Sequence, residues 1–293
     1  MGSVKYLSVA EAESGQKVVQ FLSRRLGGQI PRSALMRWVR TGQVRVDSSR
    51  VKPFQRLSAG QRVRIPPYSP EEGGISKAGE RKGNPFTLGR VYEDEQLLVV
   101  LKPPGLPSQP GKSTRQSVAT MIRSEYAGRE WTPTLVHRLD RETSGLLLLA
   151  KSYPTLRFLQ EQMSQNRMRK IYLAWVQGET DWWKWTRLQD RLRESRDSEE
   201  KEVKAVSWVR TLRHTQGNSL VAVALKTGRR HQIRIQLADR GRPVAGDRKY
   251  GTGSSTQGLK LHAYLLSWQD RCFTRMPHWR GRFRVSEQDL QDV

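Results

Sequence analysis

VHRLDRETSGLLLLAK, residues 136–151, is the stretch on which the reading of this chain turns. An apolar run ends at Val136 and another starts at Leu146. Short apolar runs of this kind, bounded by polar turns, suggest buried strands. Between them lie His137, Arg138, Asp140, Arg141, Glu142, Thr143, Ser144 and Gly145. Polar groups held between core strands must be hydrogen-bonded, so the loop is either a structural network or a site positioned by rigid walls. Arg138 and Arg141 beside Asp140 favour its charged form. A carboxylate in a basic groove can act as nucleophile or base. An aspartate that only ties two arginines together fits the loop equally well.

Outward from this stretch, strand patterns fall at 91–92, 97–101, 135–136, 172–176 and 220–225, and helix patterns at 117–126, 156–163 and 232–238. Strands predominate and helices fall between them irregularly. That predicts an α+β fold, a mixed and mainly antiparallel sheet with flanking helices, rather than a doubly wound sheet. Residues 179–202, ETDWWKWTRLQDRLRESRDSEEKE, alternate Trp with charge and show no clear period. Trp182, Trp183 and Trp185 are either core residues or stacking surfaces for bases. A second basic cluster, KTGRRHQIRIQLADRGRPVAGDRKY, spans 226–250. Ile233 and Leu237 give its short helix a buried side, leaving Arg229, Arg230, Arg234 and Arg240 on the other faces. These form a phosphate-binding face, or one of them turns inward to a carboxylate.

Residues 1–68 make a separate small module. Val18, Phe21, Leu22 and Leu26 recur at helical spacing, Leu35 and Val39 repeat the pattern after Pro31, and strands follow at 44–46 and 62–65. Thirteen Lys and Arg stand here against Glu11, Glu13 and Asp47, a net +10. Arg37, Arg40 and Arg45 make this a candidate phosphate-binding surface. Residues 69–88 are rich in Gly, Pro and charge, as a flexible linker is. A larger domain then fills 89–293.

Over the whole chain the formal charge is +24. Charge this unbalanced repels itself unless the working partner is a polyanion, and nucleic acid is the commonest one. The single cysteine, Cys272, cannot form an intrachain disulfide, which suits a reducing cytoplasm. The longest apolar stretch, 146–150, is far too short to span a bilayer. A P-loop is excluded at 105–113, because five residues separate its glycines and two of them are prolines without an N–H. His137, His214, His231, His262 and His278 are too dispersed for a metal site.

The spelling of these segments resembles the RluA family of pseudouridine synthases, whose signature is His-Arg-Leu-Asp followed by Thr-Ser-Gly. VYEDEQLLVVLKPPGLPSQP (91–110) is similar to that family's opening strand pair and Lys-Pro turn, and KIYLA (170–174) to its Lys-x-Tyr element. TGRRHQIR with GRPVAGDRKYG resembles its late Arg element, and LHAYLLSW (261–268) a C-terminal strand. The matches keep the family's order over nearly all of 90–270. The N-terminal two helices and hairpin resemble the RNA-binding module of ribosomal protein S-four, with Asp47-Ser48-Ser49 replacing an Asn-Gly-type turn at the tip. Together they suggest the RluC-type members, which act on large-subunit ribosomal RNA.

The resemblance implies Asp140 as the catalytic aspartate, with Arg138 near the displaced nucleotide or its phosphate. It implies Tyr172 stacked on the target base and assisting proton removal, and Arg234 ion-paired to Asp140. Arg141, Arg229 and Arg230 would line the RNA groove. Gln236 stands where the family often has His. No cofactor and no metal are implied, because the isomerisation has no redox or phosphoryl step. RNA is the expected partner, with a monomer acting in the cytoplasm and no membrane. A non-catalytic RNA-binding protein is the alternative from another class.

Overall fold

Strand pairing sorts the chain into two sheets, described here from a computed structural model covering residues 3–26, 30–68, 88–111, 116–196, 199–251, 258–291 and 293. The first sheet takes β1 (Lys5–Ser8), β2 (Arg45–Val46), β3 (Ser49–Arg50) and β4 (Arg62–Ile65) in the order β1-β4-β2-β3. Helices α1 (Val18–Arg25) and α2 (Arg32–Arg40) precede its hairpin. Val18, Phe21, Leu22, Leu35 and Val39 meet Val44, Val63 and Ile65 in one core, so the helical spacing points inward. At the hairpin tip Asp47 and Ser48 both take positive φ, 48° and 69°, so the pair makes the tight turn usually given to Asn-Gly. Asp47 steadies it by accepting from the Arg62 N–H at 2.9 Å. Strand β1 had no expectation in the sequence; only Leu7 packs on this core.

The large sheet has the order β10-β11-β12-β9-β13-β8-β6-β5. Its strands are β5 (Gly89–Glu93), β6 (Leu97–Lys102), β7 (Thr134–Leu135), β8 (Ser144–Ala150), β9 (Arg169–Gln177), β10 (Thr186–Arg196), β11 (Glu199–Thr215), β12 (Asn218–Leu225), β13 (Leu261–Trp268) and β14 (Arg271–Thr274). Strand β7 pairs with β8 and β14 with β13 off the main path. All pairings are antiparallel except β8 with β13, as the α+β reading requires. Helices are α3 (Val118–Glu125), α4 (Tyr153–Ser164) and α5 (Gln232–Ala238).

Side chains alternate through this sheet, and both faces are buried. Tyr172, Ala174 and Val176 of β9 join Leu147 and Leu149 of β8 in one core with Val118 and Ile122 of α3 and Ile233 and Leu237 of α5. The alternate residues Ile171, Leu173 and Trp175 point to the other face, under Phe283, Val285 and Leu290 of the C-terminal tail. Central strands covered on both sides carry near-continuous apolar runs, which is why LLLLA and YLAWV were legible. Gly145 is required where β8 meets β13: its φ is 119°, and a Cβ there would lie 2.4 Å from the Ala263 carbonyl.

Within 179–202, where no period is readable in the sequence, the structure has a long hairpin, β10 with β11. Leu188 and Leu192 of β10 point inward, but the slot between them is Asp190, which breaks the apolar alternation. Asp190 is admitted there because Gln236 and Arg240 meet its carboxylate, at 2.6 Å and 3.1 Å. Trp182 and Trp185 are partly buried against the two cores, whereas Trp183 is exposed, its ring 4.7 Å from that of His214. The linker 69–88 lies outside the described residues except for Leu88, which is buried in the main core. The small module also touches the large domain: Arg24 of α1 donates to Thr132 and Thr134.

Candidate active site

Asp140 lies in the loop between β7 and β8, and its backbone is clasped by the turn after β6. Lys102, fully buried at the end of β6, donates to the carbonyls of Pro103, Leu106 and Arg141 at 2.8–2.9 Å. Burial pulls its ammonium down to about 7, with Glu142 and Asp140 pulling the other way. Three carbonyl acceptors need three N–H donors, which favours the charged form. Ser108 Oγ donates to the Leu139 carbonyl at 2.8 Å and accepts the Leu139 N–H at 3.0 Å. The Gly105 N–H closes the clasp on the Arg141 carbonyl. The sequence marked this segment only as a Lys-Pro turn, and its role in holding the loop was not visible in it.

Around the carboxylate, the side chains that approach come from helix α5 and the residue that caps its start rather than from chain neighbours. Arg141 turns its Nε to the Gly105 carbonyl at 2.9 Å, and Arg138 is exposed. His231 Nε2 and Arg234 Nη1 instead stand 3.9 Å and 4.0 Å from Asp140 Oδ2. The expected pairing of Arg234 with Asp140 therefore sits at the outer limit of an ion pair. Both short bonds of Arg234, from Nε and Nη2 at 2.7 Å, go to Asp247. Asp247 is buried and also accepts the N–H groups of Lys249 and Tyr250. Burial works against its charge, but the Arg234 bonds and these N–H groups outweigh it and hold the carboxyl below the ordinary range. Arg234 is raised in turn, the Asp247 bonds more than offsetting burial. This fork-to-fork pair fixes the guanidinium so that its free Nη1 faces Asp140.

His231 has a left-handed backbone, φ 54°, at the start of α5, and its Nδ1 pairs with the Tyr250 hydroxyl at 2.9 Å. Burial lowers its pKa, and Arg234, Arg230 and Lys249 lower it further against the pull of Asp140. Tyr172, on β9, is 8% exposed and forms part of the main core. Burial and then Asp140 push its phenol up, so it stays protonated through the neutral range. His137 accepts the Leu148 N–H through Nε2 at 3.3 Å and is a hydrogen-bonded loop residue.

Of the predicted site residues, Arg234 stands at the Asp140 carboxylate, and Tyr172 lies near enough for that charge to help raise its phenol. Arg229 and Arg230 are exposed at the turn before α5, where Arg229 Nε donates to the Lys204 carbonyl. Arg37, Arg40 and Arg45 are exposed on the small module. Arg240 does not project outward, because Asp190 holds it. Gln236, fully buried, bonds Asp190 and Ser207 and so ties α5 to the long hairpin. Sequence reasoning did not single out His231, Asp247 and Tyr250 as site residues. The one acid in the otherwise basic run 240–250 that lacks a solvent-exposed reason was the available signal.

Among the described residues no three His, Cys, Asp or Glu gather as metal ligands, and no helix is long and apolar enough to cross a membrane.

A family profile described as RNA pseudouridylate synthase matches residues 96–239, which include the Asp140 loop, Tyr172 and Arg234. The ribosomal large subunit pseudouridine synthase C of Escherichia coli K12 is 34% identical over 91% of this chain and 89% of its own length. That of Haemophilus influenzae is 35% identical over 91% and 88%. Among solved structures, human RNA pseudouridylate synthase domain containing 4 superposes with a TM-score of 0.54 at 22% identity, covering 65% of this chain and 89% of that one. That likeness speaks to the fold.

Proposed function

Given that the chain belongs to the RNA pseudouridylate synthase family, we propose that it isomerises specific uridines of large-subunit ribosomal RNA, with Asp140 as its catalytic carboxylate and no cofactor. The observation that carries this reading is the preset Asp140 carboxylate: its loop is clasped from behind by Lys102 and Ser108, and Arg234 of α5 and His231 at its start face it at 4.0 Å and 3.9 Å. A group held this way needs no reorganisation when charge develops beside it. The relatives' names supply the RNA, and the +24 charge suits it.

In the reaction the bond from uracil N1 to ribose C1′ breaks, the ring turns, and C5 bonds to C1′. The C5 proton is lost and N1 gains one, so the balance needs no redox partner. A base paired in a duplex cannot turn, so the nucleotide must be unpaired or extruded into the pocket. Asp140 faces the reacting centre as nucleophile or base. Arg234, anchored by Asp247, supports its charge. Tyr172 offers a ring against which the base can rest, and its protonated phenol suits it to orienting the base rather than to taking the C5 proton unaided. The small module, with exposed Arg37, Arg40 and Arg45, holds RNA backbone, and Arg138, Arg141, Arg229 and Arg230 line the approach to the site. We read the enzyme as a monomer, and as cytoplasmic in keeping with a chain that has one cysteine and no intrachain disulfide.

The test is pseudouridine mapping of ribosomal RNA by carbodiimide adducts and reverse-transcription stops. Stops should vanish in cells lacking the protein and return with wild type but not with Asp140→Asn. An unchanged map would move the search to transfer RNA, and a second blank there would favour a binding protein that does no chemistry.

A further inference from the structure

Arg24, on α1 of the small module, reaches out of that module into the large domain. Its guanidinium donates to the Thr132 carbonyl at 2.6 Å and the Thr134 hydroxyl at 3.0 Å. Its Cζ also sits over the Trp131 ring, 3.0 Å from the centroid. The ring is fixed in turn, because its indole N–H donates to the Ala150 carbonyl at 3.1 Å. Beside this contact Ala12 packs on the cluster formed by Trp131, Tyr153 and Leu156, and the backbone at Gly15 runs along the Tyr153 ring. Arg24 is pulled down to about 10 chiefly by burial, so it remains a cation at neutral pH. An arginine that is desolvated onto a carbonyl, a hydroxyl and a ring face depends on that geometry, since among the described residues no short ion pair holds it.

The place it grips matters more than the grip. Thr134 opens β7, and the same segment runs directly from it into the Asp140 loop six residues on. The contact therefore joins the module that carries Arg37, Arg40 and Arg45 to the strand that positions the reactive carboxylate.

We propose that Arg24 is a lock that seats the RNA-binding module on the strand entering the Asp140 loop, fixing the span between the module's phosphate surface and the carboxylate, and so acts as a positioning residue for target choice. The inference rests on the reading above as an RNA-acting synthase. A module swinging on a linker offers its second binding event over many spans, and a seated one offers it over one. Only an RNA whose docking element and target uridine stand at that span gains both contacts at once. The ordering that a free module would undergo on binding has already taken place in the folded protein.

The experiment measures span and selectivity in the full chain. Spin labels go on exposed Ser48→Cys and Gln160→Cys in a Cys272→Ser background, with distances read by pulsed electron resonance. One narrow distribution is expected with Arg24 present. Arg24→Ala should broaden it, and Arg24→Lys should too, because an ammonium lacks the planar fork. Thr134→Val probes the other side of the contact and leaves the module's own sequence intact. In the broadened variants kcat/KM on a ribosomal RNA fragment should fall by roughly tenfold, with turnover of a short stem-loop at saturation kept within about twofold. A broad distribution with Arg24 in place, or a narrow one in Arg24→Ala, overturns the lock. Broadening without loss of selectivity overturns its role in target choice. A background protein that makes no pseudouridine on either RNA would defeat the functional reading, while the distances still decide the lock.

Discussion

Two sets of arginines, one beside Asp140 and one on the outer face of the small module, meet opposite fates in this molecule. Beside Asp140, Arg234 is buried and bonded twice to Asp247, and Arg240 is held by Asp190. On the small module Arg37, Arg40, Arg45 and Arg50 are exposed, and β-pairing sets Arg45 opposite both Arg50 and Arg64. Like charges facing each other across strands destabilise a sheet. Under the function proposed above, the difference separates two uses of one residue type: a guanidinium tied to a buried carboxylate would orient chemistry, and an exposed, mutually repelling set would take up a polyanion.

The largest effect that tests this division is on Asp140. Asp140→Asn keeps the shape of the site and removes the carboxylate, so turnover on a cognate RNA should fall by at least about 1000-fold. Its Kd for the same RNA should stay within about twofold. A variant that keeps a tenth of wild-type turnover would mean that the clasped loop is a structural network after all.

Next in size is Asp247→Ala, which leaves Arg234 buried without its partner. Removing one side of a buried pair costs about 3–5 kcal/mol, a fall in Tm of order 10 °C for a domain of this size. Residual turnover should drop as well, because Arg234 loses the anchor that aims Nη1 at Asp140. If calorimetry shows an unchanged Tm, the pair is not the anchor described here.

A third effect appears on acidification and belongs to the catalytic half alone. His262 is buried, with Nδ1 on the Ser144 hydroxyl at 2.8 Å and Nε2 on the Arg275 carbonyl at 3.0 Å. The carbonyl can only accept, so Nε2 carries the proton and the ring is neutral. Burial lowers the pKa of His262 to about 4, and that of His137 likewise. The unfolded chain binds these protons near pH 6.5, so stability is full above that value and is lost as pH falls towards 4. Each ring contributes up to about 3 kcal/mol. Urea unfolding at pH 7.5 and pH 4.5 should show a clear drop in midpoint, and equal midpoints would remove both histidines from the acid-sensitive set.

How far the sequence carried also divides along these halves. The buried strands were readable because both of their faces are apolar, and α5 was placed residue for residue by its Ile233 and Leu237 spacing. Hairpin β10–β11 was not, since Asp190 occupies an inward slot and its justification, Gln236 and Arg240, lies about fifty residues away. The partner of Arg234 was hidden too, although Asp247 lies only 13 residues on, because no helical or strand spacing links the two. The family resemblance pointed Arg234 to Asp140, and only the fold shows that Asp247 takes the short bonds. Arg138 and Arg141 looked like the neighbours of Asp140 because they are adjacent in the chain. Side chains two residues apart or less in a tight loop need not converge, and here they diverge to solvent and to Gly105.

The smallest effect sharpens the comparison from the module's side. Replacing Arg37, Arg40 and Arg45 together by Ala removes exposed charge and leaves the module's core of Phe21, Leu22, Leu35 and Val39 intact. Folding should be unharmed, and relief of the Arg45 repulsion against Arg50 and Arg64 works slightly in its favour. The loss should appear only with RNA: each phosphate contact contributes about 0.7 to the log–log salt slope on single strands, so three lost contacts make the slope shallower by about 2. At saturating RNA the turnover number should match wild type, because none of the three touches the reacting centre. A triple variant with an unchanged salt slope would show that the exposed arginines are solvated bystanders. A lowered turnover number at saturation would show that the two halves share the chemistry instead of dividing it.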